Sequence, residues 1–116
     1  VAENQWHAEE LKKETERVDK ILALSSEMQK QTELCITEWE KLRVRLKNSD
    51  GEERHELIEE FHRTEEIFHL RNEILNARRQ LVFAESEGEV EEVDELNEFM
   101  EELKQGIQEL EEQIER

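Results

Sequence analysis

Proline is missing from this chain of 116 residues, and glycine occurs only three times. Helices therefore meet almost no intrinsic breaker along its length. A single cysteine, Cys35, excludes an internal disulfide and fits a reducing compartment. No stretch approaches the ~20 apolar residues that a membrane span requires, and no signal peptide can be read at the start. Hydrophobic residues make up 34% of the chain. That is too few for a compact globular core and typical of long amphipathic helices or coiled coils. Glycine-rich phosphate loops, HExxH, CxxC and paired carboxylates in an apolar setting are also missing. A chain with so little core builds no water-excluded pocket, so it is expected not to be an enzyme and to hold no catalytic, cofactor-binding or metal-ligating residues.

What the chain has in abundance is charge, 42% of residues with a net charge of −17. The composition alone would also suit a disordered chain, but the periodicity described next argues against that. The charge is uneven: residues 1–47 carry a net −1, 48–84 a net −4 and 85–116 a net −12. So acidic a final third argues against direct contact with nucleic acid or an anionic membrane.

Three segments carry helical periodicity. In residues 1–47 two seven-residue series interleave by three and four, the a/d pattern of a coiled coil. One is Leu11, Val18, Ser25, Thr32, Trp39, Leu46; the other is Ile21, Met28, Cys35, Leu42. Ser25 and Thr32 weaken that seam at its middle. In residues 52–85 three adjacent rows are apolar: Phe61, Phe68, Leu75, Val82; Ile67, Ile74, Leu81; and Leu70, Ala77, Ala84. They cover about 160° of helix surface, which predicts contact with two neighbours rather than one. In residues 89–116, Val93, Leu96, Met100, Leu103, Ile107, Leu110 and Ile114 form a clean a/d register. Its acids fall mostly on the solvent face, so the helix can associate despite its charge.

Two sites interrupt this pattern. Asn-Ser-Asp-Gly at 48–51 strings together weak helix formers, with basic residues before it and acidic ones after, as helix ends prefer. Ser49 with Glu52, and Ser86 with Glu89, fit the capping box S-x-x-E. Yet the row Phe61, Phe68, Leu75, Val82 continues in phase through Glu89 to Leu96, Leu103 and Leu110, so a helix could also run through 86–88 at a cost of roughly 1 kcal/mol for Gly88. The favoured reading pairs residues 1–47 and 52–85 as an antiparallel hairpin across a turn at 48–51. Residues 89–116 then either fold back or continue outward.

Individual residues offer little chemistry. His55, His62 and His69 recur every seven residues, ~10 Å apart along a helix, too far to share one metal ion; they are expected to be solvent-exposed beside Glu59 and Glu66. Cys35 is expected to be a small buried apolar group. Trp39 is expected in the core, and Trp6, one residue off the seam, is a candidate partner contact. The basic run Lys41–Lys47 suits a helix C-terminus.

Two stretches, QWHAEELKKETERVDKILALSSEMQK at 5–30 and SEGEVEEVDELNEFMEELKQGIQELEEQI at 86–114, resemble stalk regions of kinesin-4-class motors, with Trp6 and Glu10 as the matching positions. The resemblance implies a dimerising or autoinhibitory stalk segment of an intracellular motor. No ATPase or microtubule-binding motif of such a family occurs in the chain.

The sequence therefore leads us to expect an all-α protein: long helices in a coiled coil, an antiparallel hairpin or a three-helix bundle, and a dimer. The expected core and interface residues are Leu11, Val18, Ile21, Met28, Cys35, Trp39, Leu42, Phe61, Phe68, Ile74, Leu81, Val93, Leu96, Met100, Leu103, Ile107 and Leu110. The expected role is a non-catalytic scaffold or dimerisation segment of a larger cytoplasmic protein, since the chain starts at Val1 and ends inside a heptad. The alternative is an adaptor whose acidic C-terminal helix docks a basic protein. Self-association or a protein partner is expected, with no nucleic acid and no membrane.

Overall fold

The computed structural model describes residues 2–115, with side chains for 5–114. Three helices follow one another: α1 (Ala2–Lys47), α2 (Gly51–Glu87) and α3 (Val90–Glu115). Both interruptions are turns, so the chain doubles back twice and measures 75 × 26 × 14 Å. A single helix of this length would reach ~170 Å.

Local chemistry explains each reversal. At the end of α1 the amide of Asn48 donates to the carbonyls of Val44 and Arg45, and the amide of Ser49 donates to Leu46 O. The hydroxyl of Ser49 also donates to Leu46 O at 2.9 Å, and Arg54 donates to the Ser49 carbonyl at 2.6 Å. Ser49 is thus consumed closing α1 and is buried. The expected Ser49–Glu52 capping box does not form; Asp50, in extended backbone, is the N-cap of α2 and makes no side-chain cap. The second turn rests on Gly88, which sits in the left-handed region at φ 72°. That conformation lets the amide of Glu89 donate to Ala84 O at 3.0 Å and that of Gly88 to Glu85 O at 3.2 Å. This is the glycine-closed helix end in which two orphan carbonyls are satisfied. Ser86 lies inside α2 and caps nothing: its hydroxyl accepts from the Arg17 guanidinium.

α2 is the central helix. It packs against α1 on one side and α3 on the other, and α1 makes no contact with α3. The broad apolar stripe of α2 therefore does touch two neighbours. Its Phe61 row meets α1, with the Trp39 and Phe61 ring centroids 6.3 Å apart. Its Leu70 row meets α3, where a Cβ built on Gly106 would lie 3.5 Å from Leu70 Cδ1. The most buried apolar residues are Leu24, Cys35 and Leu42 in α1, Leu57, Ile67, Phe68, Leu75, Ala77 and Ala84 in α2, and Met100 and Leu103 in α3. Val93, Leu96, Ile107 and Leu110 are half-buried along the same face of α3.

Three helices in an open arrangement bury one line of residues per contact and leave the other faces wet. α1 is 46 residues long against 37 for α2. Lys13 and Arg17 already reach Glu87 at the end of α2, so the first turns of α1 project past the α2–α3 turn.

Candidate functional site: the outer row of α1

The residues of α1 that lose exposure to α2 are Lys13, Arg17, Ile21, Leu24, Met28, Gln31, Cys35, Leu42 and Leu46. Counting Trp39, which touches Phe61, the line takes nine steps over 33 residues. A mean step of about 3.7 is closer to the 3.6 of a straight helix than to the 3.5 of a left-handed supercoiled seam. α2 thus meets the row Ile21, Met28, Cys35, Leu42 together with Leu24 and Gln31 on its flank. Of the other expected row it meets only Trp39 and Leu46. Within the chain Leu11 is 69% exposed and Val18 is 54% exposed, and Ser25 and Thr32 are exposed as well. Leu24 was missing from the expected core although it stands three residues after Ile21 and four before Met28. The polar Arg17 and Gln31 in its row disguise it.

Polar groups fasten α1 to α2. Arg17 donates from Nε to Ser86 Oγ at 3.1 Å and pairs with Glu87 at 2.7 Å. Its guanidinium also lies 5.4 Å from the Phe83 ring centroid. Arg78 pairs with Glu27 at 2.7 Å, and Arg45 with Glu60 at 3.6 Å. Such exposed pairs set alignment more than stability, each contributing ~1 kcal/mol or less. Arg71 links α2 to Glu111 of α3 at 3.0 Å. One group in the seam is unsatisfied: Gln31 Oε1 is buried with no partner. Cys35 is a free, buried thiol facing α2. Burial, and secondarily the charge of Glu65, push its pKa up, so it sits on the unreactive side of thiol chemistry.

The other singled-out residues lie apart. His55 and His69 stand 3.4 Å from Glu59 and 3.0 Å from Glu73, one helical turn away. All three histidines of the row are exposed, and no group of metal-ligating side chains occurs among the described residues. Trp6 is 60% exposed on the projecting start of α1, edge-on to His7. Around the α2–α3 turn Glu89 and Glu92 share a hydrogen bond, which with the charges of Glu89 and Glu95 raises the Glu92 pKa. Among the described residues no helix is long and apolar enough to cross a membrane.

What remains is a second line on α1. Ala8, Leu11, Thr15, Val18, Leu22, Ser25, Gln29, Thr32 and Ile36 recur at alternating steps of three and four, and none carries a charge. Every one of them is exposed. On a helix turning 100° per residue, Leu11, Val18, Leu22 and Ile36 lie about 120° round from the side that faces α2. Among the described residues α3 does not reach α1, and none covers them. In a protein where two residues in five are charged, nine uncharged positions stand in coiled-coil spacing along the open side of α1. Family models, curated proteins and solved structures were compared with the chain, and none matches it.

Proposed function

We propose that the chain is a non-catalytic helical scaffold that self-associates, the role expected of a coiled-coil segment in a larger cytoplasmic protein. The observation that carries this reading is the uncharged outer row of α1, with Leu22 62% exposed beside the buried Leu24. Exposed apolar side chains scattered singly are ordinary, but a line of them in helix-pairing register marks a docking face. Hydrophobic burial along that face supplies the driving force, and the lack of charge removes the repulsion that a net −17 would otherwise bring. Sedimentation equilibrium from low micromolar to several hundred micromolar protein tests it. The expected result is a mass rising from 14.0 kDa toward twice that value. A single 14.0 kDa species at every concentration would contradict it.

A second reading rests on α3. Its outer face presents Glu91, Glu95, Glu98, Glu102 and Glu109 to solvent, and in this reading it docks a basic protein. That binding would weaken as salt rises from 50 to 500 mM, because exposed charges are screened over a Debye length of ~10 Å or less. Affinity indifferent to salt would exclude it.

A further inference from the structure

We propose that the cleft beside the α1–α2 turn is a docking site for a short acidic peptide segment that carries a bulky apolar anchor. The site shares no residue with the outer row of α1, and the proposal stands without self-association. Three observations carry it.

The first is a cavity. Between the end of α1 and the start of α2 lies a cleft of about 500 Å³, within the ~300–1,000 Å³ usual for ligand sites. The rings of Trp39 and Phe61, with centroids 6.3 Å apart, form its inner end, and Leu42 and Leu46 line it toward the turn. Trp39 is still 39% exposed. An incoming aliphatic or aromatic side chain buries that ring surface, and buried aromatics are where binding energy concentrates.

The second is charge. Arg43, Lys47 and Arg54 complete the lining, and no acid takes part in it. The basic run 41–47 divides between the two sides of the seam. Lys41 and Arg45 line the opposite side and pair with Glu38 and Glu60. Arg43 and Lys47 line the Trp39 side, and neither they nor Arg54 enter an ion pair among the described residues. The acids nearest in sequence, Glu40, Asp50 and Glu65, pair with none of the three. A helix C-terminus accounts for Arg43 and Lys47, but Arg54 stands in the first turn of α2, where the helix dipole disfavours a cation. One of its N–H groups holds the Ser49 carbonyl; the others point to an acceptor from outside. In a chain with 33 acids and 16 bases, three unpaired bases around one apolar cleft call for an anionic occupant.

The third is shape. Two helices wall the cleft, and its remaining side is open, so a small molecule would stay half in water. A peptide runs on along the groove. From Trp39 to Lys47 the cleft measures ~12 Å at helical rise, the reach of about four extended residues. An anchor seated on the two rings therefore sets acids three or four residues away beside Lys47 and Arg54. A long polyanion such as nucleic acid would meet the rest of this acidic chain. A short segment does not: α3 packs on α2 and makes no contact with α1, and its charge is screened over ~10 Å at about 0.1 M salt.

The test titrates the acetylated octapeptide Glu-Glu-Glu-Leu-Phe-Glu-Glu-Glu into the full chain carrying Trp6→Phe, which leaves Trp39 as the only indole. The expected result is a saturable change in Trp39 emission. Arg43→Glu with Lys47→Glu breaks no ion pair of the chain, so helicity stays unchanged, and the affinity should fall about tenfold. Lys41→Glu, on the opposite side, should change it less than about threefold. Replacing the Leu-Phe of the peptide by Ala-Ala should abolish the emission change. No saturable change with the first peptide would overturn the proposal. So would an equal loss with Lys41→Glu, which would mean unspecific charge attraction, or equal binding of the Ala-Ala peptide, which would mean that the rings receive no anchor. Decanoate binding as tightly as the peptide would overturn it in favour of a small amphipathic anion.

Discussion

Leu22 and Leu24 are two residues apart on the same helix, and replacing each by alanine should have very unequal consequences. Leu24 is 7% exposed and wedged between α1 and α2; Leu22 is 62% exposed. Leu→Ala at a buried site costs about 2–5 kcal/mol, through lost transfer energy and the cavity left behind. The contact here is a single line open to solvent on both sides, so neighbours can close in, and the low end of that range, about 2.5 kcal/mol, is expected. The entropy of unfolding is ~2.1 cal/mol/K per residue, or ~0.24 kcal/mol/K for a chain of this length, so Leu24→Ala should lower Tm by about 10 °C. Leu22→Ala removes no intrachain contact and replaces leucine with the best helix former, so Tm should move by less than ~2 °C. Thermal melts followed by far-UV circular dichroism, at a few micromolar so that association does not contribute, make the comparison. Equal losses at the two positions, or none at Leu24, would refute the assignment of the inner and outer rows.

The two turn and helix glycines should separate in sign. Gly88→Ala forces a side chain into the left-handed region at φ 72° and should cost about 1 kcal/mol in urea unfolding, although nothing crowds the site. Gly106→Ala places its Cβ at ordinary contact distance from Leu70 and should stabilise by about 0.5–1 kcal/mol, the helix-propensity difference. Cys35, with its pKa raised by burial and by Glu65, should be alkylated by iodoacetamide at pH 7 far more slowly than free cysteine. Because the folded-state pKa lies above the unfolded value, its contribution to stability is present below the ordinary thiol range and lost as pH rises through it. Labelling as fast as free cysteine, or stability that grows between pH 8 and 10 through this group, would contradict the burial.

Much of the fold was legible because the physics is local. A chain without proline whose apolar residues recur every three and four positions forms helices, and the weak helix formers at 48–51 end one. The triple row on α2 gave it two neighbours before either was placed. The phase of residues 86–88 was ambiguous because the row from Phe61 continues through Glu89 as if the helix did; the left-handed backbone at Gly88 decides it, and that choice is settled by how α3 packs back onto α2. The outer row of α1 was harder to read. Its d positions, Leu11, Val18, Ser25 and Thr32, read as one half of a single seam whose middle looked weak. Only the placement of α2 against Leu24, Gln31 and Cys35 shows that they belong to another line. Polar residues caused the confusion in both directions: Arg17 and Gln31 hide an inner row, and Ser25 and Thr32 make an outer row look like a defect.

The most direct test of a chain folded back twice with one free seam on α1 is small-angle X-ray scattering on a size-exclusion column with in-line light scattering, over a dilution series. The expected result is a maximum dimension that stays close to the 75 Å of the single chain, while the mass climbs from 14.0 kDa toward twice that value. A dimension near ~170 Å would mean that the helices run straight through both turns, and a length that doubles along with the mass would mean that copies join end to end rather than along α1.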